Sequence, residues 1–149
     1  MLRSLDIGII HFFRRISIPF ARFGIFVIFF WFGLLKVVGL SPASGLVAEL
    51  LSKTIPFMTP DAFILFFGLF ECLIGVLFLI RGAERIVIPL LALHMFTTFG
   101  PLVLLPTVTW TGFMIPTLEG QYIIKNLAIM AAAIFIAAHL HPVKKRIKN

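Results

Sequence analysis

This sequence predicts an all-α fold: an integral membrane four-helix bundle preceded by a short amphipathic interfacial helix. Three observations lead there. Hydrophobic residues fill 60% of the 149 positions, whereas a soluble domain holds roughly 45–50%. Charged residues make up only 13%, and 18 residues are Phe. The apolar residues gather into four runs of about 20 residues, the helix length that crosses a hydrocarbon core of about 30 Å. Mean hydropathy is +1.11. Residues 1–149 are expected to form a single transmembrane domain, with spans near 21–39, 62–80, 86–105 and 121–140.

The segment from Met1 to Pro19 places Arg3, Arg14 and Arg15 beside Ile9, Ile10, Phe12 and Phe13. An amphipathic helix on the inner membrane surface fits this pattern, and so does a plain basic topogenic flank. The first span begins near Ala21. Arg22 at its inner end is expected to snorkel to the headgroups, and Lys36 lies close to its outer end. Ser41 to Asp61 form the first outer loop, with a short surface helix over Leu46 to Thr54. Asp61 suits the N-cap of the second span, because its carboxylate can accept an orphan backbone N–H.

The second span is the almost unbroken run Phe63 to Ile80, interrupted by Glu71. Gly82 suits the helix stop. The tight connection Arg81 to Arg85 makes spans two and three antiparallel neighbours. Pro89 falls in the first turn of span three, where its missing N–H costs little, and Gly100-Pro101 should break the helix further on. Pro106 to Leu118 form the second outer loop, with Trp110 as an interface anchor. Span four is rich in Ala. Ala128/Ala132 and Ala133/Ala137 have the small-xxx-small spacing that permits close helix approach.

Charge sets the topology. Arg3, Arg14, Arg15, Arg22, Arg81, Arg85, Lys144, Lys145, Arg146 and Lys148 flank one side, against Lys53 alone in the opposite loops. The positive-inside rule then puts both termini in the cytoplasm of a multi-pass protein. The same placement accounts for the net charge of +7 without a nucleic-acid partner, because the charges flank apolar runs and form no basic stripe. Cys72 is the only cysteine. It can build no intramolecular disulfide, CxxC pair or Cys-based zinc site.

The candidate site starts at Glu71. A carboxylate in mid-membrane is costly and usually faces a protein interior and a partner. Gly68 and Gly75 share its face at i−3 and i+4, so a neighbouring backbone can come close. His94 shares a face with Thr97 and Thr98, Gly33 precedes Lys36 by one turn, and Tyr122 and Lys125 share a face of span four. A four-helix bundle has one interior to receive these stripes. Glu71 and His94 are expected at similar depth, on the floor of a polar pocket open to the outer side, with Lys36 and Lys125 nearer the surface. Such a pocket could hold a polar headgroup such as a quinone carbonyl, or relay protons. It could equally be an interhelical clamp. His139 and His141 point from different helix faces, and no metal site is expected.

The motifs Gly33-Leu-Leu-Lys36, Glu71-Cys-Leu-Ile-Gly75 and Leu118-Glu-Gly-Gln-Tyr-Ile-Ile-Lys-Asn-Leu127 resemble the DoxX-like superfamily, its YkgB-like branch most closely. The resemblance runs from about Arg22 to Ala138. It implies a four-helix protein of the bacterial inner membrane with a redox association. It adds Glu119 and Asn126 as secondary site residues. Asn126 stands where YkgB-like proteins often carry Asp, which removes a carboxylate from that position.

Two functions compete on these grounds. One is a redox-associated protein binding a quinone or similar amphipathic ligand. The other is a non-catalytic accessory subunit or assembly factor, whose Phe-rich faces dock a larger membrane or redox partner or a second copy. A transporter of a small solute or protons fits less well, because four spans show no inverted repeat.

Overall fold

A computed structural model describes residues 2–140. Four helices are long and apolar enough to cross a membrane, as the four apolar runs predict. The basic tail from Val143 and the His141 half of the His pair lie outside the described residues.

The first helix, α1, runs unbroken from Leu2 to Val37. The basic segment and the first span, expected as separate pieces, are thus one helix with Pro19 inside it. A short helix α2, Ser44–Thr54, follows. The second span is α3, Pro60–Leu79. Its N-cap residue is Thr59, and Asp61 sits one step inside, in the first turn. There its charge favours the positive end of the helix dipole without capping it. The stop also differs from expectation. Helix α3 gives out at Ile80, and Gly82, at φ +95°, makes the following turn.

The third span is α4, Glu84–Phe99, continued after Gly100 by the single turn α5, Pro101–Leu104. The Gly-Pro pair breaks the helix where the missing N–H of Pro101 predicts it. One turn of helix, α6 (Pro106–Thr109), and a small hairpin of β1 (Trp110–Gly112) with β2 (Ile115–Pro116) form the second loop. The fourth span is α7, Leu118–Ala138. Thr117 joins this loop to α7. Its hydroxyl donates to the Val108 carbonyl at 2.8 Å and accepts from Gly120 N–H at 3.1 Å.

The closest packing is between α1 and α3, which run antiparallel. A Cβ on Gly33 would lie 2.6 Å from the Gly68 carbonyl oxygen, and one on Gly75 would lie 2.9 Å from the Phe30 nitrogen. Only glycine permits such backbone contact, and in lipid it is packing, with no hydrophobic drive, that holds helices together. The buried core extends from this seam through Ile25, Phe29, Ile74 and Phe78 to Val87, Leu91 and Met95 of α4 and Ala133 and Ile136 of α7.

The seam also fixes depth. Val37, the last residue of α1, lies opposite Gly68, eight residues into α3. Helix α3 therefore extends about 12 Å beyond the end of α1, and α2 packs against α3. Lys36, in the last turn of α1, does not lie at the end of the bundle, as its sequence position suggests. It sits beside the middle of α3.

Candidate functional site

Four of the sequence-derived candidates meet in one hydrogen-bonded chain. Glu71 is eleven residues from the start of α3 and eight from its end, which puts it about 16 Å and 12 Å from the two ends. Lys36 reaches it because Gly68 has no side chain. A Cβ there would lie 2.8 Å from Lys36 Cβ. Lys36 Nζ donates to Glu71 Oε2 at 2.5 Å, and both side chains are over nine-tenths buried. The other carboxylate oxygen, Oε1, lies 2.9 Å from His94 Nε2 on α4. His94 Nδ1 in turn lies 3.2 Å from Thr98 Oγ1, one turn further along α4.

Phenylalanine rings enclose the imidazole. Phe67 stacks on it with centroids 4.7 Å apart, and Phe29 meets it edge-on at 5.0 Å. Phe67 also lies 5.9 Å from Lys36 Nζ. Among the described residues, no fully buried side-chain nitrogen or oxygen lacks a partner. In a low-dielectric interior that completeness is what makes such a network tolerable.

The geometry gives the site two proton arrangements. Thr98 Oγ1 carries one hydrogen and lies 2.9 Å from the His94 carbonyl as well as 3.2 Å from Nδ1. If the hydroxyl donates to Nδ1, then Nε2 carries the imidazole hydrogen and donates to a Glu71 carboxylate. If it donates to the carbonyl, Nδ1 carries a hydrogen, and Nε2 and Glu71 Oε1 must share a further one. The second arrangement holds one proton more than the first. Uptake of one proton from outside the chain, with a rotation of the Thr98 hydroxyl, converts the first into the second, and no heavy atom needs to move.

The remaining candidates lie elsewhere. Thr97 is exposed on α4 and donates to the His94 carbonyl at 2.7 Å. Lys125 is exposed on α7, with its Nζ 5.2 Å above the ring of Tyr122, itself 62% exposed. Lys36, not Lys125, is the lysine that meets Glu71. Glu119 is exposed in the first turn of α7 and Asn126 is half-buried. His139 is exposed and holds the Phe135 carbonyl through Nδ1 at 2.8 Å. Among the described residues, no group of three or more His, Cys, Asp or Glu could hold a metal ion.

A second buried ion pair was not anticipated. Arg22 does not snorkel. It is only 9% exposed, its Nε donates to the Phe78 carbonyl at 2.8 Å, its Nη2 to the Ile80 carbonyl at 2.7 Å, and its Nη1 to the Glu84 carboxylate. The planar guanidinium thus meets the Phe78 and Ile80 carbonyls, the latter also accepting from Ala83 N–H at 3.3 Å, and ties the α3–α4 turn to α1. Glu84, an acid inside an otherwise basic flank, was the one signal in the sequence that pointed to this contact.

Among the described residues, two of the grooves between helices border the site's neighbours. The larger, about 520 Å³, separates Ala21, Gly24 and Ile28 of α1 from Ala128, Ala132 and Phe135 of α7. Ala128 and Ala132, spaced for close approach, thus border an open apolar groove. The other, about 470 Å³, lies beside Arg22, Arg81 and Glu84. Neither is lined by Glu71 or His94.

No protein-family model matches the chain, and neither a curated protein nor a solved structure matches it.

Proposed function

We propose that this chain is a redox-associated protein of the bacterial inner membrane with both termini cytoplasmic. Its Lys36–Glu71–His94–Thr98 centre binds the polar headgroup of a quinone or similar amphipathic ligand and exchanges a proton with it. The observation that carries this reading is the imidazole between Glu71 and Thr98. A clamp between helices needs only Lys36 and Glu71. The added His94 presents one ring nitrogen to Glu71 and the other to Thr98, so it connects two groups that can pass a proton. Resemblance to the DoxX-like superfamily supports the redox association. The basic residues at one end of the bundle support the orientation.

A ligand dissolved in the bilayer meets the site from the lipid face of α4, where Thr97 is exposed next to the buried His94. Its carbonyl takes the place of one partner in the chain and accepts from His94 Nε2 or Lys36 Nζ. The test is binding of a short-tailed quinone to the protein in nanodiscs. Glu71→Gln and His94→Gln should each weaken binding about ten- to a hundredfold, the worth of a hydrogen bond to a charged group. Lys125→Gln should leave it unchanged. Equal affinity in all four proteins refutes the assignment.

A second reading, an accessory subunit of a larger membrane complex, is favoured by the open α1/α7 groove. Recovery of a stoichiometric protein partner, lost when Gly24 is replaced by Leu, would support it.

A further inference from the structure

The early turns of α1 from Leu5 to Arg15 stand clear of the bundle. Residues 5–15 are all exposed, and half-burial begins only at Ile16. Arg22, tied to the last carbonyls of α3, marks the basic end of the bundle. The twenty helical residues from Leu2 to Ala21 precede it, which is about 30 Å of helix. A span needs none of that length, since α3 crosses the bundle in 20 residues.

The segment is two-sided. At 3.6 residues per turn, Leu5, Ile9, Phe12, Phe13 and Ile16 fall on one stripe, and the first four are between 54% and 59% exposed. Arg3, His11 and Arg14 lie opposite, with Arg15 on the flank. A straight α1 would carry this apolar stripe out into water. The boundary also has a weak point. Pro19 has no N–H to offer the Arg15 carbonyl, so the helix ladder lacks a bond just before the bundle begins.

We propose that residues 2–18 form a docking helix for an anionic bilayer surface, hinged at Pro19. The stripe from Leu5 to Ile16 enters the headgroup boundary of the leaflet at the basic end, and Arg3, Arg14 and Arg15 meet lipid phosphates. Charge selects this occupant over a second protein. Three arginines against the single acid Asp6 complement anionic headgroups, and an apolar face opposite a basic one is the pattern of helices that lie in the interface plane.

The test uses nitroxide labels on the full chain in a Cys72→Ser background. Phe12→Cys reports the stripe and His11→Cys the opposite side, both at exposed positions that leave the bundle intact. The protein is placed in vesicles of phosphatidylglycerol with phosphatidylethanolamine, and separately in phosphatidylcholine alone. In the anionic vesicles, the label on Phe12→Cys should be relaxed by oxygen dissolved in lipid, and that on His11→Cys by a water-soluble nickel complex. The docked fraction should fall in phosphatidylcholine. It should also fall with Arg14→Ala, the docked-to-free ratio dropping about fivefold for each arginine removed near an anionic surface. Nickel access at both labels in anionic vesicles overturns the proposal. So does spin–spin broadening between labels of two copies, which would assign the stripe to a second chain. So does equal docking in both lipids.

Discussion

Replacing Glu71 by Gln keeps the shape of the side chain and removes its charge, so it isolates what the carboxylate does. Lys36 Nζ stands 2.5 Å from Glu71 Oε2, and the two side chains are 9% and 8% exposed. Removing one member of a buried ion pair costs about 3–5 kcal/mol, because the other charge stays behind uncompensated. Glu71→Gln should therefore destabilise the bundle by about that much, well above the roughly 0.6 kcal/mol average for interhelical hydrogen bonds in membranes. Lys36→Met should cost less, about 1.5–3 kcal/mol, the range of a hydrogen bond to a charged group. The reason is His94, 2.9 Å from the other carboxylate oxygen, which keeps its hydrogen bond to the carboxylate when the ammonium is gone. In the double variant no charge is stranded. Its cost should fall below the sum of the singles by about 1–3 kcal/mol, the coupling expected of residues in one network. Reversible unfolding of the four proteins in bicelles, by steric trapping, measures the cycle. Additive single costs, within about 0.5 kcal/mol, would refute the pair. Equal costs for Glu71→Gln and Lys36→Met would refute the supporting role given to His94.

Two further outcomes test the frame around the site. Gly68→Ala places a Cβ 2.8 Å from both the Gly33 carbonyl oxygen and Lys36 Cβ, so α1 and α3 must separate. The expected loss is about 1–3 kcal/mol in the same assay, whereas Gly24→Ala, with nothing within 4 Å, should be neutral; equal effects would contradict the close seam. Arg22→Lys keeps the charge and loses the planar fork that reaches Phe78, Ile80 and Glu84. Hydrogen exchange at the α3–α4 turn should accelerate, and an unchanged rate there would show that the fork does not hold the turn.

Much of the fold was legible in the sequence because each signal was local. Four apolar runs of spanning length gave four helices, Gly100-Pro101 broke the third span, and Ser44–Thr54 formed the loop helix close to its expected place. Boundaries set by competition among caps moved by a residue or two. Thr59 precedes α3 where Asp61 looked the better cap, because Pro60 suits the first helical position, whose N–H is an orphan in any case. The Glu71–His94 meeting was also foreseeable, from depth counted along two antiparallel helices.

By itself, then, the sequence determined that this is a helical membrane bundle, where its spans lie, and that Glu71 needs a partner inside it. Only the tertiary structure decided which partner. Lys36 and Lys125 are equivalent on paper, each one turn from a small or aromatic neighbour on a span end. The Gly33–Gly68 contact lets α1 end about 12 Å below the top of α3, and that offset brings Lys36 to Glu71 while Lys125 faces outward over Tyr122. The same offset and antiparallel packing bury Arg22 against the end of α3, where its position at a span end suggested snorkelling. Side-chain pairing across helices depends on relative shift and rotation, which backbone contact at glycines sets and which no single helix encodes.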